Sequence, residues 1–244
     1  MPTFKLTIEY DGTAYAGWQR QLNQPTIQAA IEDALRRLTQ TEITVIGAGR
    51  TDAGVHALGQ VAGFQSDKEF SPDEWARALN AVLPEDISVR STEAVPDDFH
   101  ARYSASDKLY EYRILNRRER SALDRDHAWH LYGPLDLDAM REAATLLLGR
   151  HDFSSFQGHP TDTKHPTCDL RRLDIARTGD MVRLEVQADR FLKQMVRAIV
   201  GTLVEAGQGK RAPQGLKDIL AARDRRQAGK TAPAHGLYLV RVEY

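Results

Sequence analysis

Strand-like and helix-like apolar patterns follow one another along this chain in the same order twice, which narrows its architecture more than any other feature. Phe4, Leu6, Ile8 and Tyr10 alternate with polar residues as in a half-buried strand, and Asp11-Gly12 ends it as a turn. Thr26 caps a predicted helix with Ile27, Ile31, Leu35 and Leu38 inside and Glu32, Arg36 and Arg37 outside. An apolar run from Ile43 to Ile46, a glycine-rich loop and a second run with Leu58, Val61 and Phe64 read as strand–loop–strand. Ser71-Pro72-Asp73-Glu74 combines a capping box with a first-turn proline, and Trp75, Ala78, Leu79 and Val82 follow as a stripe. Ile87 to Val95 reads as another strand.

The second half repeats the order. Lys108 to Leu115 is strand-like, and Asp136 or Asp138 caps a helix through Met140, Ala143 and Leu147 to the terminating glycine Gly149. Leu170–Ala176 and Val182–Val186 form strands joined at Thr178-Gly179-Asp180, and Asp189 caps a long helix through Gly201 and beyond. Leu216–Arg223 is a short helix, and Leu237–Val242 a closing strand. Two β-α-β-β-α-β runs, each a split βαβ unit, point to an α+β protein on antiparallel sheets. The boundary falls near Arg102–Lys108, dividing the chain into 1–105 and 106–244.

A single cysteine, Cys168, excludes an intrachain disulfide and fits a reducing compartment. The first residues lack an apolar signal core, and no run of ~18 apolar residues occurs, so a cytoplasmic protein without membrane association is expected. Net charge is −1, but residues 1–105 carry 9 Lys and Arg against 15 Asp and Glu, whereas residues 106–244 carry 24 against 19. A basic second half can build the local positive surface that a phosphate backbone needs.

Gly47-Ala48-Gly49-Arg50-Thr51-Asp52-Ala53-Gly54-Val55-His56 separates two apolar runs with three glycines, one arginine and one carboxylate. Glycine tolerates positive φ and close approach, so this is a shaped loop displaying Arg50 and Asp52 from a rigid support. A carboxylate beside a guanidinium stays ionised, which suits a nucleophile or electrostatic stabiliser better than a general acid. A phosphate-binding G-x-x-x-x-G-K-[ST] is absent, and Asp52 stands where a dinucleotide fingerprint needs its third glycine. The pattern alone is equally compatible with a tight turn carrying a surface aspartate.

Gly49-Arg50-Thr51-Asp52-Ala53-Gly54-Val55-His56-Ala57 closely resembles the active-site loop of the TruA-type family of tRNA pseudouridine synthases. Tyr10-Asp11-Gly12-Thr13, Tyr15-Ala16-Gly17-Trp18-Gln19, Phe99-His100-Ala101-Arg102 and Tyr110-Glu111-Tyr112 resemble it too. So do Phe191-Leu192-x-x-Met195-Val196-Arg197-x-Ile199-Val200-Gly201 and Gly236-Leu237-Tyr238-Leu239, all in family order. The resemblance implies two ferredoxin-like (RRM-like) halves joined into one mostly antiparallel sheet, with the cleft between them. It implies isomerisation of uridine to pseudouridine in the anticodon stem–loop, at positions 38 to 40 of the tRNA, by a homodimer without a cofactor.

By the same resemblance Asp52 is the catalytic carboxylate, Arg197 its buried ion-pair partner and Tyr110 the ring that stacks on the target uracil. Leu237 is an apolar wall of that pocket, and Arg50 handles the RNA as the base is flipped. Arg50 and Arg197 compete as partners of Asp52, with Arg197 favoured. The carboxylate could attack ribose C1′, attack uracil C6 or stabilise positive charge on the sugar, and the sequence does not choose. Tyr15 and Trp18 read as structural or RNA-facing.

On the predicted Asp189–Glu205 helix, Arg190, Lys193 and Arg197 line up beside a core stripe of Leu192, Met195, Val196, Ile199 and Leu203. Part of that flank is expected to face RNA, with Arg190 and Lys193 as backbone contacts. Asn116–Arg125, with Arg117, Arg118, Arg120 and Arg125, and Gly149–Pro166 read as long loops, the stretch 158–166 mobile. His159, His165 and Cys168 match no zinc spacing, so no metal is expected. Cys168 stands where the family would place an arginine after a lysine-bearing loop, here Lys164, so either Arg171 or Arg172 takes that RNA contact or the contact is missing. The rival reading is a non-catalytic structured-RNA-binding module, although the RNP1 aromatic pattern of such modules is missing.

Overall fold

The computed structural model describes residues 1–161 and 165–244. The chain divides into two compact units, Met1–Ser106 with Tyr238–Tyr244, and Asp107–Leu237. The class is α+β, with antiparallel strand pairings predominating among the described residues.

In the first unit the order is β1 (Thr3–Tyr10), α1 (Ile27–Thr39), β2 (Ile46–Gly47), β3 (His56–Gln65), α2 (Pro72–Val82) and β4 (Ile87–Val95). The sheet runs β4-β1-β3, with β2 antiparallel on β3. A bulge between Ile8 and Tyr10 shifts the β1–β3 register so that Tyr10 faces Ala57. Phe4, Leu6, Ile8 and Tyr10 are buried on one face, as their alternation predicts. Thr26 caps α1 by accepting from the Ala29 amide. Ser71 and Glu74 complete the capping box of α2, which buries Trp75 and Leu79 fully and sets the Trp75 ring against the Phe4–Phe64 pair. Burial stabilises such side chains by about 1.5–3 kcal/mol each. The last strand, β10 (Leu237–Glu243), pairs from Tyr238 onward in parallel with β3 at His56 and Ala57.

The second unit contains β5 (Asp107–Asn116), β6 (Trp129–Leu131), α3 (Leu137–Thr145), β7 (Gly149–Asp152), β8 (Thr167–Thr178), β9 (Met181–Ala188), α4 (Met195–Gly207) and α5 (Leu216–Ala222). Its sheet runs β5-β9-β8-β7, with β6 parallel to β5. Asp136 caps α3 by accepting from the Asp138 and Ala139 amides. Helix α4 is buried almost all round, as expected of a helix apolar on every side. A Cβ at Gly201 would stand 1.7 Å from the Lys230 carbonyl oxygen, so only glycine lets residues 229–232 cross α4 there. Thr202 Oγ1 accepts from the Gly229 amide at 2.9 Å on the same face.

Several local expectations change. Helix α4 begins at Met195, not after Asp189, because Gln194 adopts a left-handed φ of 58° and Asp189 instead accepts from the Asp169 amide at 2.8 Å. Arg190 and Lys193 therefore precede the helix and do not share a helical flank with Arg197. Helix α3 stops at Thr145, and Gly149 opens β7 with a φ of 95°. Glu32, placed outside α1, is buried, because its carboxylate takes hydrogen bonds from Arg20 Nε, Gln28 Nε2 and the Val45 amide. Of the Ile43–Ile46 run only Ile46 forms strand, together with Gly47 of the glycine loop. The expected loop over Gly149–Pro166 contains β7 and a 3₁₀ turn, Ser154–Phe156, anchored by fully buried Phe153 and Phe156. Residues 162–164 lie outside the described residues, and with them part of the mobile stretch and the Lys164 contact.

Candidate active site

Asp52 lies in the bend between β2 and β3, half-buried, and its carbonyl accepts from the Val55 amide at 3.2 Å. The bend rests on the segment after β1. Trp18 N donates to Thr51 O at 3.1 Å, and Gly54 N donates to Tyr15 O at 3.3 Å. At Gly17 φ is +101°, and an added Cβ would come within 2.6 Å of the Thr51 carbonyl oxygen. At Gly12 an added Cβ would stand 2.0 Å from the Val55 carbonyl oxygen. The glycines of the first segment thus allow two irregular backbones to touch on either side of Asp52.

Side chains complete the support. Tyr10 and Thr51 share a buried hydroxyl–hydroxyl hydrogen bond of 2.8 Å, and burial pushes the Tyr10 hydroxyl up to about 12. Gln60, fully buried on β3, donates from Nε2 to the Gly49 carbonyl at 2.9 Å. Gly12 N donates to His56 Nδ1 at 3.1 Å, and the His56 ring stacks on Tyr238 with centroids 4.7 Å apart. Trp18 is buried against the loop, where a Cβ at Gly47 would stand 2.5 Å from its indole. Tyr15 donates to Asp86 Oδ1 at 2.6 Å, and burial with that carboxylate pushes its hydroxyl well above the usual range. Both aromatic residues therefore have structural partners. Arg50 is exposed, and its Nε donates to Gln19 Oε1 at 2.9 Å.

The remaining sequence candidates lie in the second unit. Tyr110 is buried on β5 and meets Phe191 edge to face, centroids 5.0 Å apart. Arg197, in the first turns of α4, donates from Nε to the Ala232 carbonyl at 2.8 Å, and its own carbonyl accepts from the Ala232 amide at 3.0 Å. Tyr112 donates to the Pro233 carbonyl at 2.8 Å, and a Cβ at Gly236 would clash with the Tyr112 ring at 2.6 Å. Residues 232–236 are thus fastened to Arg197 and Tyr112 just before buried Leu237 opens β10. Arg190 is exposed, and Lys193 Nζ donates to the Pro160 carbonyl at 3.0 Å. Cys168 is buried on β8, its thiol pushed up to about 12 by that burial.

Residues 6–104 and 143–244 match the family model described as tRNA pseudouridine synthase. The chain belongs to the tRNA pseudouridine synthase family. Its curated relatives include proteins named tRNA pseudouridine synthase A from Afipia carboxidovorans (49% identical over 245 residues) and Moorella thermoacetica (47% over 246). Another, from Xanthobacter autotrophicus, is 48% identical over 245 residues, and all three alignments cover both chains in full. The chain is therefore an enzyme of an isomerase family. Asp52, Arg50, Arg190, Lys193, Arg197 and Leu237 fall inside the matched stretches of this pseudouridine synthase family, and Tyr110 lies between them.

Sequence reasoning passed over Tyr10, Thr51, Gln60 and Gln19. Gln60 carried a signal, since a polar residue between Gly59 and Val61 in an apolar run needs a buried partner. Tyr10 stood in a family-like motif, but its hold on Thr51 was not legible, because it also completes an alternation that packing alone explains.

Proposed function

We propose that this synthase isomerises uridine to pseudouridine in the anticodon stem–loop of tRNA, at positions 38 to 40, with Asp52 as the acting carboxylate. The N1–C1′ bond breaks, the uracil turns in place and C5 joins C1′; C5 loses its proton to solvent and N1, freed from the sugar, takes one up. Atoms and electrons balance without a cofactor. Arg197 pairs with Asp52, Tyr110 stacks on the extruded uracil, and Leu237 walls its pocket. Arg50 holds the RNA as the base leaves its stack, and Arg190 and Lys193 contact the backbone. Extruding the base costs a few kcal/mol, which phosphate contacts offset. The enzyme works as a homodimer in the cytoplasm.

One observation carries this reading: within a chain of this family, Asp52 sits in a bend whose neighbours Thr51 and Gly54 are hydrogen-bonded by Tyr10, Trp18 and Tyr15, with Gly17 packed close against Thr51. A carboxylate held that way keeps one aim, as covalent or electrostatic catalysis demands. The test is Asp52→Ala with unmodified tRNA, followed by mapping of pseudouridine along the product. Turnover should vanish while tRNA affinity stays close to that of the wild type. Persisting turnover refutes the role of Asp52.

A further inference from the structure

The arginine-rich loop after β5 walls a cavity of about 520 Å³ in the second unit, which none of the roles above uses. Arg120, Ser121, Arg125, Trp129, His130 and His235 line it. The loop is fastened by side chains: Arg117 Nε donates to Glu119 O at 2.9 Å, Arg125 Nη1 to Ala122 O at 2.8 Å, and His130 Nε2, from β6, to Arg117 O at 2.9 Å. Those bonds fix the wall without consuming Arg120, which is exposed and makes no ion pair among the described residues. Trp129 is itself covered by a cation outside the lining, with Lys230 Nζ 4.9 Å from the centre of its ring. The carboxylate on the wall, Asp124, accepts from Ser121 Oγ at 2.9 Å and is tied into the loop. Burial lowers the pKa of His235 and favours its neutral ring.

The size lies within the roughly 300–1,000 Å³ of ordinary ligand sites. Arg125 is paired with Asp126 at 3.0 Å, so the lining offers the Arg120 guanidinium beside an indole with hydroxyl and imidazole groups, which suits a phosphodiester and its nucleoside. Residues 105–142, which supply most of it, fall outside the stretches matched by the family model. We infer that this cavity is a tRNA contact in its own right, where Arg120 grips one backbone phosphate and the wall that includes Trp129 seats the attached nucleoside. This rests on tRNA being the substrate, but not on Asp52 being the catalyst.

The experiment measures binding and turnover of one unmodified tRNA by the full chain, by Arg120→Glu, and by Lys217→Glu, which reverses an exposed cation on α5. Arg120→Glu should weaken tRNA binding at least about tenfold, raise KM in step with kcat retained, and flatten the salt dependence by about one unit of slope. Phosphate-ethylation interference should disappear at one or two neighbouring phosphates in that variant only. Equal effects of both variants, or none, would overturn the assignment. So would saturable binding of uridine monophosphate that Arg120→Glu abolishes while tRNA binding persists, because the cavity would then serve a free nucleotide. Since binding is read without turnover, a wild-type enzyme that bound tRNA but formed no pseudouridine would refute the proposed reaction and leave this contact standing.

Discussion

The hydroxyl of Tyr10 and the hydroxyl of Thr51 are 2.8 Å apart in the buried interior of the first unit, one residue before Asp52. A bulge in β1 places Tyr10 opposite Ala57 and aims its ring at the bend. Tyr10→Phe would leave the Thr51 hydroxyl buried without this partner, at a cost of about 1–3 kcal/mol. A displaced Asp52 should also slow turnover about tenfold or more, with little change in tRNA affinity. Urea unfolding and single-turnover rates measure the two effects separately. Unchanged rates in a destabilised variant would mean that the bond serves the fold alone.

Gly17 and Gly133 both have strongly positive φ, +101° and +96°, but only Gly17 has backbone against it. Gly17→Ala adds a clash with the Thr51 carbonyl to the conformational strain, and each such strain costs of order 1–3 kcal/mol. Gly133→Ala carries the strain alone, since nothing lies within 4 Å of the added methyl. Thermal melts should therefore rank Gly17→Ala as the less stable variant, and only that variant should lose activity.

Arg197 holds residue 232 through its side chain as well as its backbone. Arg197→Lys retains a charge but loses the Nε donor, so the segment that carries Lys230 should loosen. Limited trypsin digestion should then cut after Lys230 faster than in the wild type, and activity should fall. A variant with lower activity and unchanged cleavage would assign Arg197 a purely electrostatic role.

Alkaline pH should destabilise the fold through two buried groups. The Cys168 thiol is raised from 9.0 to about 12 and the Tyr10 hydroxyl from 10.0 to about 12, both chiefly by burial. The unfolded chain releases these protons first, so their contribution is complete below about pH 9 and is lost as pH rises toward about 12. Urea midpoints measured across that window should fall, and Cys168→Ala should reduce the slope. An identical slope in the variant would remove Cys168 from the account.

Much of the local structure was legible because it depends on neighbours in the chain. The capping box at Ser71, the cap at Thr26, the alternation through β1 and the turn at Gly179 each satisfy their requirements within a few residues. The misread boundaries share one cause. Gln194 and Leu146 end or delay helices for reasons that periodicity does not carry, and Phe153 and Phe156 draw an apparent loop into a core. Glu32 looked like an outer residue because its helical position is polar, yet Arg20 and the Val45 amide make it an inner one.

By itself the sequence determined the class of fold, the family, and the glycine-flanked bend that presents Asp52, since these reside in residue type and spacing. Only the tertiary structure decided what grips that bend and what lies across α4. Those hydrogen bonds join Tyr10 to Thr51, Gly49 to Gln60 and Arg197 to Ala232, pairs separated in the chain and brought together only when the apolar faces close. A pattern of neighbours specifies which side of a strand or helix turns inward; it does not name the distant group that waits there.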